Sequence, residues 1–223
     1  MSFQDQPDLP ALFAPADSRL WVRSKAEPVL DGKRMLDIAV SLAAILLLLP
    51  LLSLIAIAVT LDSRGPVLFC QRRRGKDGEI FGIFKFRTMR VLEDGADVVQ
   101  AKKHDGRITR AGRFLRATSL DELPQLFNVL SGEMSLVGPR PHAIAHDEYY
   151  GARLPAYAKR QRVKPGITGW AQVNGARGET PDLSDMARRV DLDGWYVDHK
   201  SLGLDLLILA KTPKAVLSMR NAG

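Results

Sequence analysis

The 24 residues from Ile38 to Leu61 carry no charged side chain and are bracketed by Asp37 and Asp62. Only a bilayer or a very large core accommodates such a run. A chain of 223 residues suits one domain plus an anchor and has no core of that size. The segment starts too late and runs too long for a cleaved signal peptide, and no small-residue cleavage site follows it. It reads as a retained membrane anchor. A straight helix of this length reaches about 36 Å, enough to span. Pro50, near the middle, lacks an N–H and clashes with the carbonyl of Leu46, so a kink is expected that leaves two arms of about 18 Å each. Arg23, Lys25, Lys33 and Arg34 precede the run, and Arg64, Arg72, Arg73, Arg74 and Lys76 follow it. Positive flanks stay cytoplasmic, which draws both ends to one side. A re-entrant membrane helix over residues 31–63 is the expectation. A kinked spanning helix is the alternative, because spanning helices tolerate proline.

The flanking segments divide simply. Residues 1–30 hold Pro7, Pro10, Pro15 and Pro28 among scattered acids and read as a mobile N-terminal arm. Residues 64–223 are expected to form a catalytic domain. In it, Val67–Gln71 and Ile80–Phe86 read as short strands joined by the turn Gly75-Lys76-Asp77-Gly78. Residues 90–106 read as a flexible connection. Ile108–Thr118 reads as a basic helix, with Arg107, Arg110, Arg113 and Arg116 recurring every three residues beside Ile108, Ala111, Phe114 and Leu115, that could rest on anionic headgroups or simply face water. Thr180 followed by Pro181 predicts a helix start, with Leu183, Met186, Ala187 and Val190 on one face. The leucine-rich end, Ser201–Met219, reads as interfacial. The fold class expected is mixed α/β and helix-rich: a small catalytic domain with short strands, one re-entrant membrane helix and interfacial amphipathic helices.

The net charge of +7 suits nucleic acid, an anionic membrane face or phosphorylated substrates and does not choose among them. The single cysteine, Cys70, excludes an internal disulfide framework and fits a reducing compartment.

Motifs narrow the choice. The stretch Ser119–Asn128 places two adjacent carboxylates, Asp121 and Glu122, at the start of an amphipathic helix whose apolar face would be Leu120, Leu123, Phe127 and Leu130. Ser119 and Glu122 also have capping-box spacing, so the acids have a purely structural explanation as well. Pro124 conflicts with a helix capped at Ser119, and a start near Asp121 removes the conflict. Downstream, the strand-like Ser135–Val137 leads to Gly138-Pro139-Arg140-Pro141, where two prolines hold one guanidinium suited to a phosphate or carboxylate. Upstream, Lys85 and Arg87 are cations at strand spacing that would share a face. A helix N-terminus, several cations and a carboxylate pair suit phosphoryl transfer with a divalent metal.

Gln71-Arg72 with Gly75, the KFRTM of residues 85–89, the SLDELPQLFNVL of 119–130, the GPRP of 138–141 and the PGITGWAQVNG of 165–175 together resemble the small monotopic phosphoglycosyl transferases, the bacterial sugar transferase family. The resemblance runs from about Lys33 to the C-terminus. It implies a re-entrant anchor beneath a catalytic domain facing the cytoplasm at the bacterial inner membrane. It implies that Asp121 is the nucleophile that attacks the sugar-bearing phosphate of a UDP-sugar, expels UMP and forms a covalent phosphosugar-aspartate. Glu122 would be its partner, binding Mg²⁺ with Asp121 or managing the proton on the acceptor phosphate. Arg140, Arg116 and Lys85 occupy positions suited to phosphate, with Arg87 and Arg72 as further candidates. Gly166 and Gly169 would shape the pocket through backbone turns. Trp170 would line the pocket or sit in the core, and Asp193 matches an acidic position without a derivable role. The segment from Pro141 to His146, with Arg177-Gly178-Glu179-Thr180 and Met186, resembles the branch that transfers glucose-1-phosphate or galactose-1-phosphate to undecaprenyl phosphate. His142 and His146 have the i, i+4 spacing of a metal pair, but no third ligand is evident.

The partners implied are a UDP-sugar, undecaprenyl phosphate and membrane lipid, with a homodimer as one assembly open to test. Two rival readings fit the sequence less well. A basic, membrane-tethered nucleic-acid-binding or scaffold protein explains the charge alone, since no aromatic residues interleave a basic sheet face. A transferase without a covalent intermediate is typically polytopic, and one apolar segment is too few.

Overall fold

The computed structural model describes residues 31–90, 105–178, 180 and 182–217. The N-terminal arm, most of the connection expected over 90–106, Glu179, Pro181 and residues 218–223 lie outside them.

The apolar run forms one helix, α1 (Gly32–Asp62), opened by the Asp31 side chain, which accepts a hydrogen bond from the Arg34 N–H at 2.8 Å. Pro50 lies inside this helix, which is long and apolar enough to cross a membrane. Asp37, Ser41, Ile45, Leu52, Ile55 and Val59 are buried, and their spacings of three, four and seven make one stripe along the whole helix. Leu42, Leu46, Leu47, Leu49, Leu54, Ile57 and Leu61 are exposed. The anchor is thus half of an interface: its stripe packs on the rest of the chain from end to end, and its other faces carry apolar side chains outward.

Beyond α1, β1 (Leu68–Arg74) and β2 (Ile80–Phe86) form an antiparallel hairpin, with Leu68 opposite Phe86 and Arg74 opposite Ile80. β1 extends three residues further than the sequence pattern suggested. Asp77 (φ 55°) and Gly78 (φ 81°) close the hairpin in left-handed conformations that these two residue types tolerate. α2 (Arg110–Thr118) is capped by Thr109 and so starts two residues later than the expected Ile108, and Arg107 ahead of it pairs with Asp105 at 2.7 Å. α3 (Gln125–Ser131) leads to β3 (Ser135–Val137), which pairs in parallel with β4 (Gly166–Thr168). Between these strands lie α4 (Ile144–Gly151) and a 3-10 segment, Tyr157–Arg162. α5 (Trp170–Val173), α6 (Leu183–His199) and α7 (Leu202–Leu217) complete the chain. α6 begins later than Thr180 predicted, with Asp182 at its N-cap. Thr180 is buried, and its carbonyl accepts from the Tyr150 hydroxyl at 3.4 Å. Met186 and Val190 pack on Tyr157 as the expected face, whereas Leu183 is exposed.

Ile45 of α1 enters a core with Phe81 and Ile83 of β2, Leu126 and Val129 of α3, Leu136 and Val137 of β3, Tyr196 of α6 and Ile208 of α7. Leu52, Ile55 and Val59 join Phe86 and Leu115 in a second cluster. Polar contacts fix both ends of the anchor to this same body. Near its start, Lys33 donates to the Val137 carbonyl at 3.0 Å and pairs with Asp205, and Arg34 donates to the Val129 and Leu130 carbonyls at the end of α3. The buried Asp37 carboxylate accepts from the Leu136 N–H at 2.9 Å and the Ser135 hydroxyl at 3.1 Å. At the far end, Asp62 accepts from the Ala111 N–H at 2.8 Å.

Arg87 belongs to that far end as well. It is 2% exposed, and its guanidinium donates to the carbonyls of Val59, Ser63 and Pro66. This corrects the expectation that Arg87 meets a substrate phosphate beside Lys85. β2 stops at Phe86, so strand alternation does not carry on to Arg87. Carbonyls at and just beyond the end of α1 take its Nη1 and Nη2 donors instead.

Candidate active site

Asp121 and Glu122 sit on a single 3-10 turn, Leu120–Glu122, between α2 and α3. Ser119 precedes it in the left-handed conformation (φ 58°), which reverses the chain after α2. Pro124 has no N–H to give to a preceding turn, so α3 starts only at Gln125. The carboxylates therefore stand ahead of the helix and not on it, and the capping box does not form. The buried side of α3 is Gln125, Leu126, Asn128 and Val129. Of the apolar face expected, Leu120, Leu123 and Leu130 are partly buried against the core clusters, and Phe127 is exposed. Asn128 explains why the buried side turns away from Phe127. Its side chain accepts from the Phe84 N–H at 2.9 Å and donates to the Gly82 carbonyl at 2.7 Å, pinning α3 to β2 next to Lys85.

The two carboxylates have opposite environments. Glu122 accepts from Lys85 Nζ at 2.8 Å through Oε1, and Arg140 grips both of its oxygens, Nη1 lying 2.9 Å from Oε2. Such a fork is a strong, oriented contact. Burial opposes the Glu122 charge, but Arg140 and Lys85 outweigh it and hold the carboxyl well below the usual range. Asp121 is 8% exposed and has no hydrogen bond or ion pair among the described residues. Burial first, and the neighbouring Glu122 charge second, push its carboxyl up to about 6; Lys85, Arg116 and Arg140 pull the other way. Two adjacent carboxylates with affinities for protons driven apart are the arrangement expected where one reacts and the other organises charge.

Arg140 reaches this turn because two motifs lock together. β3 and β4 bring Gly138 against Gly166 so closely that a Cβ on Gly166 would stand 2.1 Å from the Gly138 nitrogen and one on Gly169 2.3 Å from the Gly138 oxygen. Neither Gly166 nor Gly169 has a positive φ, so they serve close backbone contact and not the turns expected of them. The Arg140 carbonyl accepts from Arg160 Nη2 at 2.6 Å. Arg160, 5% exposed, donates through Nε to Asp193, 2% exposed, at 2.7 Å. Asp193 thereby acquires a role: it fixes the guanidinium that holds the backbone of Arg140. Replacing Asp193 by asparagine leaves the buried Arg160 guanidinium without its ion-pair partner, and about 3 kcal/mol of stability is expected to be lost. Thermal unfolding of Asp193→Asn beside wild type tests this, and an unchanged melting temperature would refute it.

Lys85, Glu122, Arg140 and Asp121 are brought together as expected, and Arg116 acts electrostatically on Asp121. Arg72 is exposed in the middle of β1, opposite Gly82, and Arg87 lies at the anchor's end. Trp170 stacks on Trp195 with ring centres 4.8 Å apart and packs against the main core. His142 lies 2.6 Å from the Tyr157 hydroxyl and within 3.1 Å of Arg160. No group of three or more His, Cys, Asp or Glu side chains gathers for a metal among the described residues. Arg177, not among the expected site residues, stands close enough to interact with Asp121, Glu122 and Arg140. Its local signals were the glycines on either side, Gly175 and Gly178, and its place in the Arg177-Gly178-Glu179-Thr180 motif, which was read for the branch and not for the site.

The open carboxylate of Asp121 fits Mg²⁺, which characteristically takes one or two carboxylates and fills its remaining positions with water and substrate phosphates. Both Glu122 oxygens already face cations, so Glu122 fits a metal less well than the sequence suggested.

The chain belongs to the bacterial sugar transferase family, whose model matches residues 29–219. Among the similar proteins, the UDP-glucose:undecaprenyl-phosphate glucose-1-phosphate transferase of Caulobacter vibrioides is 52% identical over 85% of this chain and 71% of its own length. The Escherichia coli protein of the same name is 51% identical over 81% of this chain, which spans only 39% of that longer protein. The exopolysaccharide production protein PSS of Rhizobium leguminosarum bv. phaseoli is 46% identical over 81% of this chain and 92% of its own length. The nucleic-acid or scaffold alternative gives way to this membership.

Proposed function

We propose that this protein transfers glucose-1-phosphate from UDP-glucose to undecaprenyl phosphate and releases UMP, opening the synthesis of an exopolysaccharide or glycoconjugate. The observation that carries the reading is the unequal pair: an unpaired, buried Asp121 next to a Glu122 fixed by two cations. The names of the relatives supply the substrates. The Asp121 carboxylate attacks the phosphorus that bears the sugar. A phosphorus–oxygen bond forms to Asp121, the diphosphate bridge breaks, and UMP departs with the bonding pair. An oxygen of undecaprenyl phosphate then attacks the same phosphorus, and Asp121 leaves as a carboxylate. Lys85 and Arg140, held by Glu122, offer positive charge where phosphoryl oxygens gather. Mg²⁺ on Asp121 would neutralise charge between the two approaching anions.

The anchor supports a monotopic arrangement at the inner membrane with the site facing the cytoplasm. Both ends of α1 bond to the one catalytic body, and a helix that crossed the bilayer would separate them. UMP release from UDP-glucose and UDP-galactose by the detergent-purified protein, with Mg²⁺ and undecaprenyl phosphate, tests the reaction. Absence of carrier-dependent release from either donor would defeat this substrate assignment.

A nucleophile with its carboxyl near 6 also predicts a pH profile. Reaction requires the ionised form, so the single-turnover rate of UMP release is expected to fall about tenfold per pH unit below 6 and to level off above it. A rate that stays flat down to pH 5 would remove Asp121 ionisation from the rate-determining chemistry.

A further inference from the structure

The cations of the site are unequally committed. Lys85 and Arg140 already face Glu122. A donor diphosphate and an acceptor phosphate bring several more negative charges, which calls for a cation that no carboxylate has yet neutralised.

Among the described residues, Arg177 meets that need. It is partly buried, and its partners among the described residues are neutral: Nη2 donates to the Ser119 hydroxyl, and Nη1 to the Ala215 carbonyl at 3.1 Å. Ser119 is the left-handed residue two positions before Asp121, so the guanidinium is fastened to the catalytic turn itself. Its electrostatic neighbours are Arg140, Glu122 and Asp121. The loop that carries it is built and not incidental. Gly175 (φ 84°) and Gly178 (φ 94°) bend the chain on either side. Arg189 of α6, 6% exposed, donates to the Ala176 carbonyl at 3.0 Å and the Gly178 carbonyl at 2.7 Å, clamping the backbone on both flanks of Arg177. A partly desolvated guanidinium that has only neutral acceptors gains most from an anionic one.

We propose that Arg177 is a substrate ligand: its fork exchanges the Ser119 hydroxyl for phosphoryl oxygens of a substrate seated beside Asp121, and Arg189 is the positioning residue that aims it. The ligand chemistry is a phosphate ester, either the donor diphosphate or the acceptor monophosphate. This rests on the transfer reaction proposed above.

The test measures KM and kcat for UDP-glucose and for undecaprenyl phosphate separately, in wild type, Arg177→Gln and Arg177→Lys. Arg177→Gln is expected to raise one of the two KM values at least tenfold, and the substrate affected identifies which phosphate is held. Arg177→Lys, which keeps the charge without the fork, is expected to fall between Arg177→Gln and wild type. Unchanged KM values in Arg177→Gln would overturn the proposal. So would loss of folding in both Arg177 variants, because that would make Arg177 a strut. An inactive wild type would instead strike the transfer reaction itself.

Discussion

Asp121→Asn protein is expected to lose carrier-dependent UMP release by roughly 1000-fold or more, yet to unfold at a higher temperature than wild type at pH 7.5. The first effect follows from removing the carboxylate proposed to form the bond to phosphorus. The second follows from where the carboxyl sits. In the unfolded chain it ionises near 3.8, whereas in the fold burial and then the Glu122 charge push it up to about 6. The folded state therefore prefers the protonated form. Any advantage this gives is complete below pH 3.8 and is lost as pH rises through 6. At neutral pH the ionised, unpaired Asp121 costs the fold up to about 3 kcal/mol, two pKa units at 1.36 kcal/mol each. Asparagine has nothing to ionise and removes that cost. Melting temperatures of the two proteins at pH 7.5 and pH 4.5 separate the cases: the gap is expected at the higher pH and is expected to shrink to about a third at the lower. Higher stability with lost activity is the signature of a strained reactive group. A variant that melts below wild type at pH 7.5 would show that Asp121 is stabilising, and the nucleophile assignment would lose its electrostatic support.

Much of this site was legible because its parts sit on short, stiff elements with strong local signals. Two prolines and a glycine hold Arg140, Pro124 forces the dyad off the helix, and Lys85 lies in a strand that alternation predicts. Arg87 shows where local reading ends. It stands two residues from Lys85, and nothing nearby distinguishes them; only the free carbonyls at the end of α1, more than 20 residues away, draw it out of the site. Asp193 and Arg160 are 33 residues apart, so their pairing exists only in the fold. The exposure of Phe127 and the burial of Asn128 on α3 escaped the pattern for a related reason. Asn128 counts as polar in any periodicity, yet it is fully buried because two backbone groups of β2 satisfy it. The anchor itself was plain from its length. Its buried stripe was not, because the leucines that pack inward and those that face outward are the same kind of residue.

Glu122→Gln is expected to act in the opposite sense to Asp121→Asn on stability, while also disabling transfer. Glu122 is the anion on which Lys85 and Arg140 converge, and neutralising it leaves two half-buried cations facing an amide. Breaking such a pair by removing one partner is costly, and a loss of about 3 kcal/mol is expected. The remaining anion beside those cations is Asp121. One of the two influences that raise its carboxyl, the Glu122 charge, disappears, and the cations are free to pair with it. Its carboxyl is therefore expected to fall below 6, and an ion-paired Asp121 is a poorer nucleophile. Transfer is expected to drop by roughly 100-fold or more, and the acid limb of the pH profile is expected to move to lower pH. The direction of that movement separates two roles for Glu122. A residue that organised charge for Asp121 gives an acid limb shifted downward, together with a lower melting temperature. A residue that served only to carry a proton would leave the acid limb near 6 and the stability close to wild type, and that pair of results would refute the arrangement described here.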